Sequence, residues 1–156
     1  MNHEDFMKEA IKLSLENMRA GKGGPFGAVV VKDGEIVGRG ANNVTSLNDP
    51  TAHAEVSAIR DACKNLGTFQ LEGCTIYTSC EPCPMCLGAI YRARPEAMYY
   101  ANSKEDAAAI NFDDQFIYEE LERKLEERKL PIYKLDNTEA IKVFQERSDK
   151  NDKITY

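Results

Sequence analysis

The 156-residue sequence has no tryptophan and only two histidines, His3 and His53. A metal site rich in imidazole is therefore excluded, and a closed four-ligand site would have to recruit cysteine. Long hydrophobic runs are missing as well. The richest, Ala28 to Val31, falls far short of the roughly 20 residues that span a bilayer. The opening Met1-Asn2-His3-Glu4-Asp5 is polar and acidic, unlike the basic and then apolar start of a secretory signal, so a cytoplasmic location is expected. No dense basic run occurs, and 26 acids against 20 bases leave a net charge of -6. That balance opposes binding to phosphate backbones or anionic lipid, so neither nucleic acid nor membrane is an expected partner. Small neutral ligands are favoured.

What is present is the make-up of one soluble globular domain over residues 1–156, with 42% hydrophobic and 29% charged residues. The five cysteines, Cys63, Cys74, Cys80, Cys83 and Cys86, are odd in number, which argues against a disulfide framework. Crowding of the last three points to metal or redox chemistry instead. Met7, Ile11, Leu15 and Met18 recur at helical spacing and predict a helix from Asn2 to Ala20. Phe26 to Val31 and Glu35 to Arg39 flank Asp33-Gly34, the signature of a tight hairpin. A loop is expected over Asn42 to Thr51, then a helix from about Ala52 to Leu66, a strand over Cys74 to Thr78, and a helix with Pro82 in its first turn. Ala97 to Ala101 reads as a strand, Ser103 to Ile110 as a short helix, and Asn111 to Gln115 as a loop. Glu119 to Lys129 predicts an exposed helix laced with ion pairs. A fifth strand at Ile132 to Leu135 and a helix at Thr138 to Arg147 precede a polar tail over residues 148–156. This alternation implies an α/β fold, a three-layer α/β/α sandwich around a mixed five-stranded sheet.

Two segments carry chemistry. His53-Ala54-Glu55 and Pro82-Cys83-Pro84-Met85-Cys86 both open predicted helices. One imidazole and two thiolates are an accepted ligand set for a catalytic zinc, which keeps its fourth position open. The spacing of Cys83 and Cys86 puts both sulfurs on one helical turn, where the positive end of the dipole favours thiolate. Glu55, two residues from His53, suits a proton carrier. Competing readings are a closed structural zinc site completed by Cys80, acting as a non-catalytic interaction module, and an iron–sulfur site on Cys80, Cys83 and Cys86. The latter lacks the fourth cysteine and the proline that follows it. Cys63 and Cys74 read as small buried hydrophobes.

H-x-E followed by P-C-x-x-C resembles the signature of the zinc-dependent nucleobase deaminases. Over most of its length the chain also resembles the small bacterial guanine deaminases of the cytidine-deaminase-like superfamily. The likeness rests on Gly24 to Val29 with Asp33-Gly34, Asn42 to Thr45, Asn48 to Glu55, Tyr77 to Cys86, Phe112-Asp113-Asp114 and the terminal Tyr156. It implies a cytidine-deaminase-like fold and hydrolysis of guanine at C2 to xanthine and ammonia. One zinc per subunit would be held by His53, Cys83 and Cys86, with Glu55 as the main proton shuttle and Asp114 assisting at the departing amine. Phe26 would stack on the purine and Asn42 would bond its edge, with Ala54 and Tyr156 completing the substrate site. The plainer readings are Phe26 as core, Asn42 as a turn residue and Asp114 as a helix cap. The resemblance further implies a homodimer whose exchanged C-terminal segments cover the partner's site. A tRNA adenosine deaminase shares both motifs and is the nearest alternative, against which the acidic balance of the chain argues.

Overall fold

Asn2 caps the first helix, α1 (His3–Arg19), in a reciprocal capping box with Asp5. The computed structural model describes all 156 residues. The buried face of α1 carries Phe6, Ala10 and Asn17, while Ile11, Leu15 and Met18 stay 45%, 38% and 46% exposed. Of the apolar stripe expected from spacing only Met7 packs toward the sheet, while the Phe6 ring, outside that stripe, is buried with Val29, Val31 and Tyr77.

The expected hairpin is formed by β1 (Gly27–Lys32) and β2 (Glu35–Ala41). Asp33 and Gly34 both have positive φ, 50° and 78°, the backbone twist that a two-residue hairpin needs. A short helix, α2 (Val44–Leu47), lies in the segment expected to be all loop. Then come α3 (Ala54–Leu66), β3 (Cys74–Cys80), α4 (Pro84–Ala93) and β4 (Ala97–Asn102). The sheet runs β2-β1-β3-β4, with β1 antiparallel to both neighbours and β3 parallel to β4. Alternate residues of β1 divide the core between two faces. Val29 and Val31 meet α1, whereas Ala28 and Val30 join Ala54, Ala58 and Ala62 of α3 and Ile90 and Ala93 of α4. Gly40 permits the close seat of α3, since a Cβ there would stand 2.3 Å from the Ala54 carbonyl oxygen.

The sheet is mixed and lies between helical layers as expected, but it has four strands and not five. Ile132 to Leu135 runs without secondary structure, with Tyr133 and Leu135 each 84% exposed. A strand needs a neighbour for its backbone groups, and no neighbour lies beside this one within the chain. Downstream of α5 (Lys104–Ala108), α6 (Gln115–Glu122) ends where a helix to Lys129 was expected. Glu120 turns the chain there, its backbone oxygen accepting from Arg128 Nε at 3.0 Å and its carboxylate from Lys129 N at 2.9 Å. Of the expected ion-pair lattice this segment holds Arg123–Glu120, at 3.6 Å. The last helix, α7 (Ala140–Asp149), has no buried residue. No helix is long and apolar enough to cross a membrane.

Candidate metal centre and active-site cavity

His53 occupies the N-cap position of α3, with extended backbone, so its ring projects from the helix mouth. Cys83 is the N-cap of α4 and Pro84 its first helical residue. The helix thus begins two residues later than Pro82 suggested, as suits proline at a helix start. The Cys83 sulfur accepts from the Cys86 amide at 3.5 Å, so the helix opening itself orients the ligand loop.

These two helix mouths bring three donors together. His53 Nδ1 stands 3.6 Å from Cys83 Sγ and 3.4 Å from Cys86 Sγ, and all three donor atoms lie within 4.8 Å of one another. A tetrahedral zinc bound at about 2.05 Å to nitrogen and about 2.3 Å to sulfur needs N···S edges of about 3.6 Å, so the donor set fits the ion. The Cys83 thiol is drawn down to about 4, foremost by the hydrogen bond it receives from Cys86, with burial opposing and His53 adding to the effect. The Cys86 thiol is pushed up because it supplies that proton and is buried. His53 is raised by its bond to Cys83.

Cys80 is not part of this cluster. Its thiol donates to the Ser103 carbonyl at 3.7 Å, and burial next to Glu55 and Glu81 lifts it to about 11. A closed site completed by Cys80 and a three-cysteine iron–sulfur site both fail on this geometry.

Glu55 is 6% exposed. Burial in the floor of the site raises its carboxyl to about 7, within the range useful to a group that both takes and gives protons near neutrality.

A cavity of about 640 Å³ opens over these groups, within the usual size of small-molecule sites. Phe26, Asn42, Ala54 and Asp114 all line it. Phe26 meets the edge of Phe112 at 5.0 Å between ring centroids. Asn42 is buried, and its Oδ1 accepts from the Gly24 and Val44 amides at 3.4 and 3.2 Å. That fixes the amide orientation and leaves Nδ2 as the group offered to a ligand. Asp114 sits at the cap position of α6 but makes no side-chain cap bond. Its carboxyl is raised, first by burial and then by Cys83. Tyr156 stands apart from the cavity in its own chain, edge-on to Phe69 at 6.5 Å in a separate apolar groove.

Glu81, Lys104 and Tyr118 also line the main cavity and were not singled out from sequence. No sequence signal marks Tyr118, which falls between the loop expected over Asn111 to Gln115 and the helix expected from Glu119.

Residues 1–102 match the model of the cytidine and deoxycytidylate deaminase zinc-binding region. The guanine deaminase of Bacillus subtilis (strain 168) is 61% identical over 145 residues, 93% of each chain. An X-ray structure of the Bacillus subtilis guanine deaminase superposes with a TM-score of 0.97 at 58% identity, covering 100% of this chain and 99% of that one. A tRNA-specific adenosine deaminase from Aquifex aeolicus is 45% identical over 101 residues, 65% of this chain and 66% of that protein. With the zinc donors in place and this likeness running through nearly the whole chain, the protein belongs to the zinc-binding cytidine and deoxycytidylate deaminase family.

Proposed function

We infer that this chain hydrolyses guanine to xanthine and ammonia, with one zinc held by His53, Cys83 and Cys86. The observation that carries the reading is the triangle of donor atoms at the floor of a cavity, with the buried Glu55 carboxyl beside it. Guanine as the substrate is supported by the Bacillus subtilis guanine deaminase, similar over 93% of the chain, and by the cavity's own chemistry. Asn42 Nδ2 offers a donor to the purine's acceptor edge, and Phe26 offers a flat aromatic wall. Ala54, the first residue of α3, brings its backbone to the same floor.

Zinc, when bound, supplies an open coordination position and a Lewis acid that lowers the pKa of water to near 7. The chain's residues do the rest. Glu55 accepts the proton of the attacking water and delivers it to ring N3. Once the C2–O bond has formed, Glu55 takes the remaining proton of the added hydroxyl and, with Asp114 assisting, passes it to the amine; the C2 carbonyl forms as the C2–N bond breaks and ammonia departs. Phe26 and Asn42 hold the ring in place.

The functional unit in this reading is a cytoplasmic homodimer of one-domain subunits, and its place is purine catabolism. The five free cysteines suit a reducing compartment. Dimerisation is supported by Tyr99 and Tyr100 on edge strand β4, 41% and 50% exposed, and by the uncovered Tyr133, Leu135 and Phe144 of the C-terminal arm. Exchange of the arms would bring the 148–156 tail over the partner's cavity, with Tyr156 as a second aromatic wall.

Incubation with guanine, guanosine, adenine, cytosine, cytidine and a tRNA anticodon stem-loop, followed by ammonia release, tests the reading. Turnover of guanine far above the others is expected. Turnover of cytidine or of the RNA adenosine without guanine would overturn it.

A further inference from the structure

The zinc-binding family match ends at residue 102, yet the ligand loop is anchored from beyond it. Tyr118, on α6, donates its hydroxyl hydrogen to the Pro82 carbonyl at 2.9 Å. That carbonyl belongs to the peptide that enters Cys83, so its orientation bears directly on where the Cys83 sulfur stands. The carbonyl on the far side of Cys83 is already held by the Leu87 amide, at 2.9 Å within α4. Glu81, one residue earlier, is pinned twice: its amide donates to the Asn102 carbonyl at 2.7 Å, and its carboxylate accepts from the Lys104 amide at 3.2 Å. The Lys104 ammonium lies over the Tyr118 ring, 4.6 Å from its centroid. Residues 81–83 are therefore clasped between α4, the end of β4, the start of α5 and α6.

Asp114 stands at the cap of the same helix, one turn before Tyr118. One hydroxyl thus links the segment that carries the outer acid of the cavity to the segment that carries a zinc donor. The Tyr118 hydroxyl has no other protein partner, and the Pro82 carbonyl takes no other hydrogen bond. The contact is specific and singly replaceable.

We propose that Tyr118 is a positioning residue for the metal centre: through the Pro82 carbonyl it fixes the Cys83 thiolate and holds Asp114 in register with it. The proposal rests on the zinc-dependent guanine reading but adds to it a brace from the C-terminal third of the chain. Removing an orienting partner of a metal ligand costs about 10- to 100-fold in metal affinity or activity. The ring, and with it the seat of Lys104, survives in Tyr118→Phe.

The test measures zinc affinity by chelator competition, melting temperature, and kcat and KM on guanine, for the parent, Tyr118→Phe and Glu81→Ala. Tyr118→Phe is expected to bind zinc about tenfold more weakly. When saturated with zinc it should lose kcat while KM stays near the parent's, because Phe26 and Asn42 are untouched. Glu81→Ala, which frees the same loop from its other side, should also weaken zinc. Parent-like zinc affinity in Tyr118→Phe would overturn the proposal. So would a fall in melting temperature with zinc affinity unchanged, the mark of ordinary packing. A parent protein without guanine turnover would instead defeat the substrate reading and leave the affinity comparison to decide the role of Tyr118.

Discussion

Residues 1–102 and residues 103–156 are built on different terms. Every buried residue lies in the first region, the last being Ala93, and this region holds the sheet, its covering helices and all three zinc donors. No residue of the second region is fully buried, although Asp114, Ile117 and Tyr118 are half-buried, and Tyr133, Leu135 and Phe144 are 84%, 84% and 72% exposed. The arm is densely charged, and the large apolar side chains it does carry gain stability only by covering something else. The packed region supplies the chemistry, and the arm supplies the far wall of the cavity through Phe112, Asp114 and Tyr118.

If chemistry resides in the packed region, its largest single loss follows from Glu55→Gln. Loss of a proton-transfer group costs about 10²- to 10⁴-fold, so kcat on guanine should fall within that range while elemental analysis still finds one zinc per chain. Parent-like turnover would remove Glu55 from the reaction.

The same carboxyl makes the packed region sensitive to pH once metal is stripped. Its folded pKa of about 7 lies above the usual 4.5, so the folded state holds the proton more tightly than the unfolded chain does. That contribution is fully present below about pH 4.5 and is lost as pH rises through 7. At 1.36 kcal/mol per tenfold in proton affinity, about 3 kcal/mol is at stake. Denaturant titration of chelator-treated protein should show Glu55→Gln more stable than the parent at pH 8.5, with the gap closing toward pH 4.5. An equal gap at both pH values would count against the burial of this charge.

A smaller effect separates the regions by packing alone. Gly40→Ala places a methyl carbon 2.3 Å from the Ala54 oxygen and 2.4 Å from the Ala58 nitrogen. The forced shift of α3 should cost about 2 kcal/mol by denaturant titration and lower activity, because His53 and Glu55 ride on that helix. Phe144→Ser in the arm should leave the stability of dilute protein unchanged but weaken self-association in sedimentation. A matching loss of stability in dilute protein would show that the arm packs on its own chain.

The smallest effect belongs to the tail. Deleting residues 154–156 should reduce kcat/KM on guanine by about tenfold, the scale of one lost aromatic contact, with dimerisation retained. Normal kinetics in the truncated protein would end the role of Tyr156 as a wall.

The same division governs what the sequence reveals. Asp33-Gly34 announces its hairpin because turn chemistry is local, and the donors His53, Cys83 and Cys86, with Glu55 beside them, are legible as candidates because they fall in two short motifs of fixed spacing. Ile132 to Leu135 has strand composition, but strandness depends on a neighbour that the chain does not place there. Glu119 to Lys129 has helical composition, yet Glu120 captures Arg128 and Lys129 and bends the backbone. On α1, residue spacing defined an apolar stripe, but of its members only Met7 packs on the core, beside Phe6, which the stripe did not include. The Tyr118–Pro82 bond joins residues 36 positions apart, and nothing near either residue in the sequence marks it.

X-ray absorption at the zinc edge tests the central claim most directly. The account predicts two sulfurs at about 2.3 Å and two nitrogen or oxygen neighbours at about 2.0 to 2.1 Å, matching His53, Cys83, Cys86 and one solvent position. A third sulfur would place Cys80 on the metal, close the position that hydrolysis needs, and contradict the account.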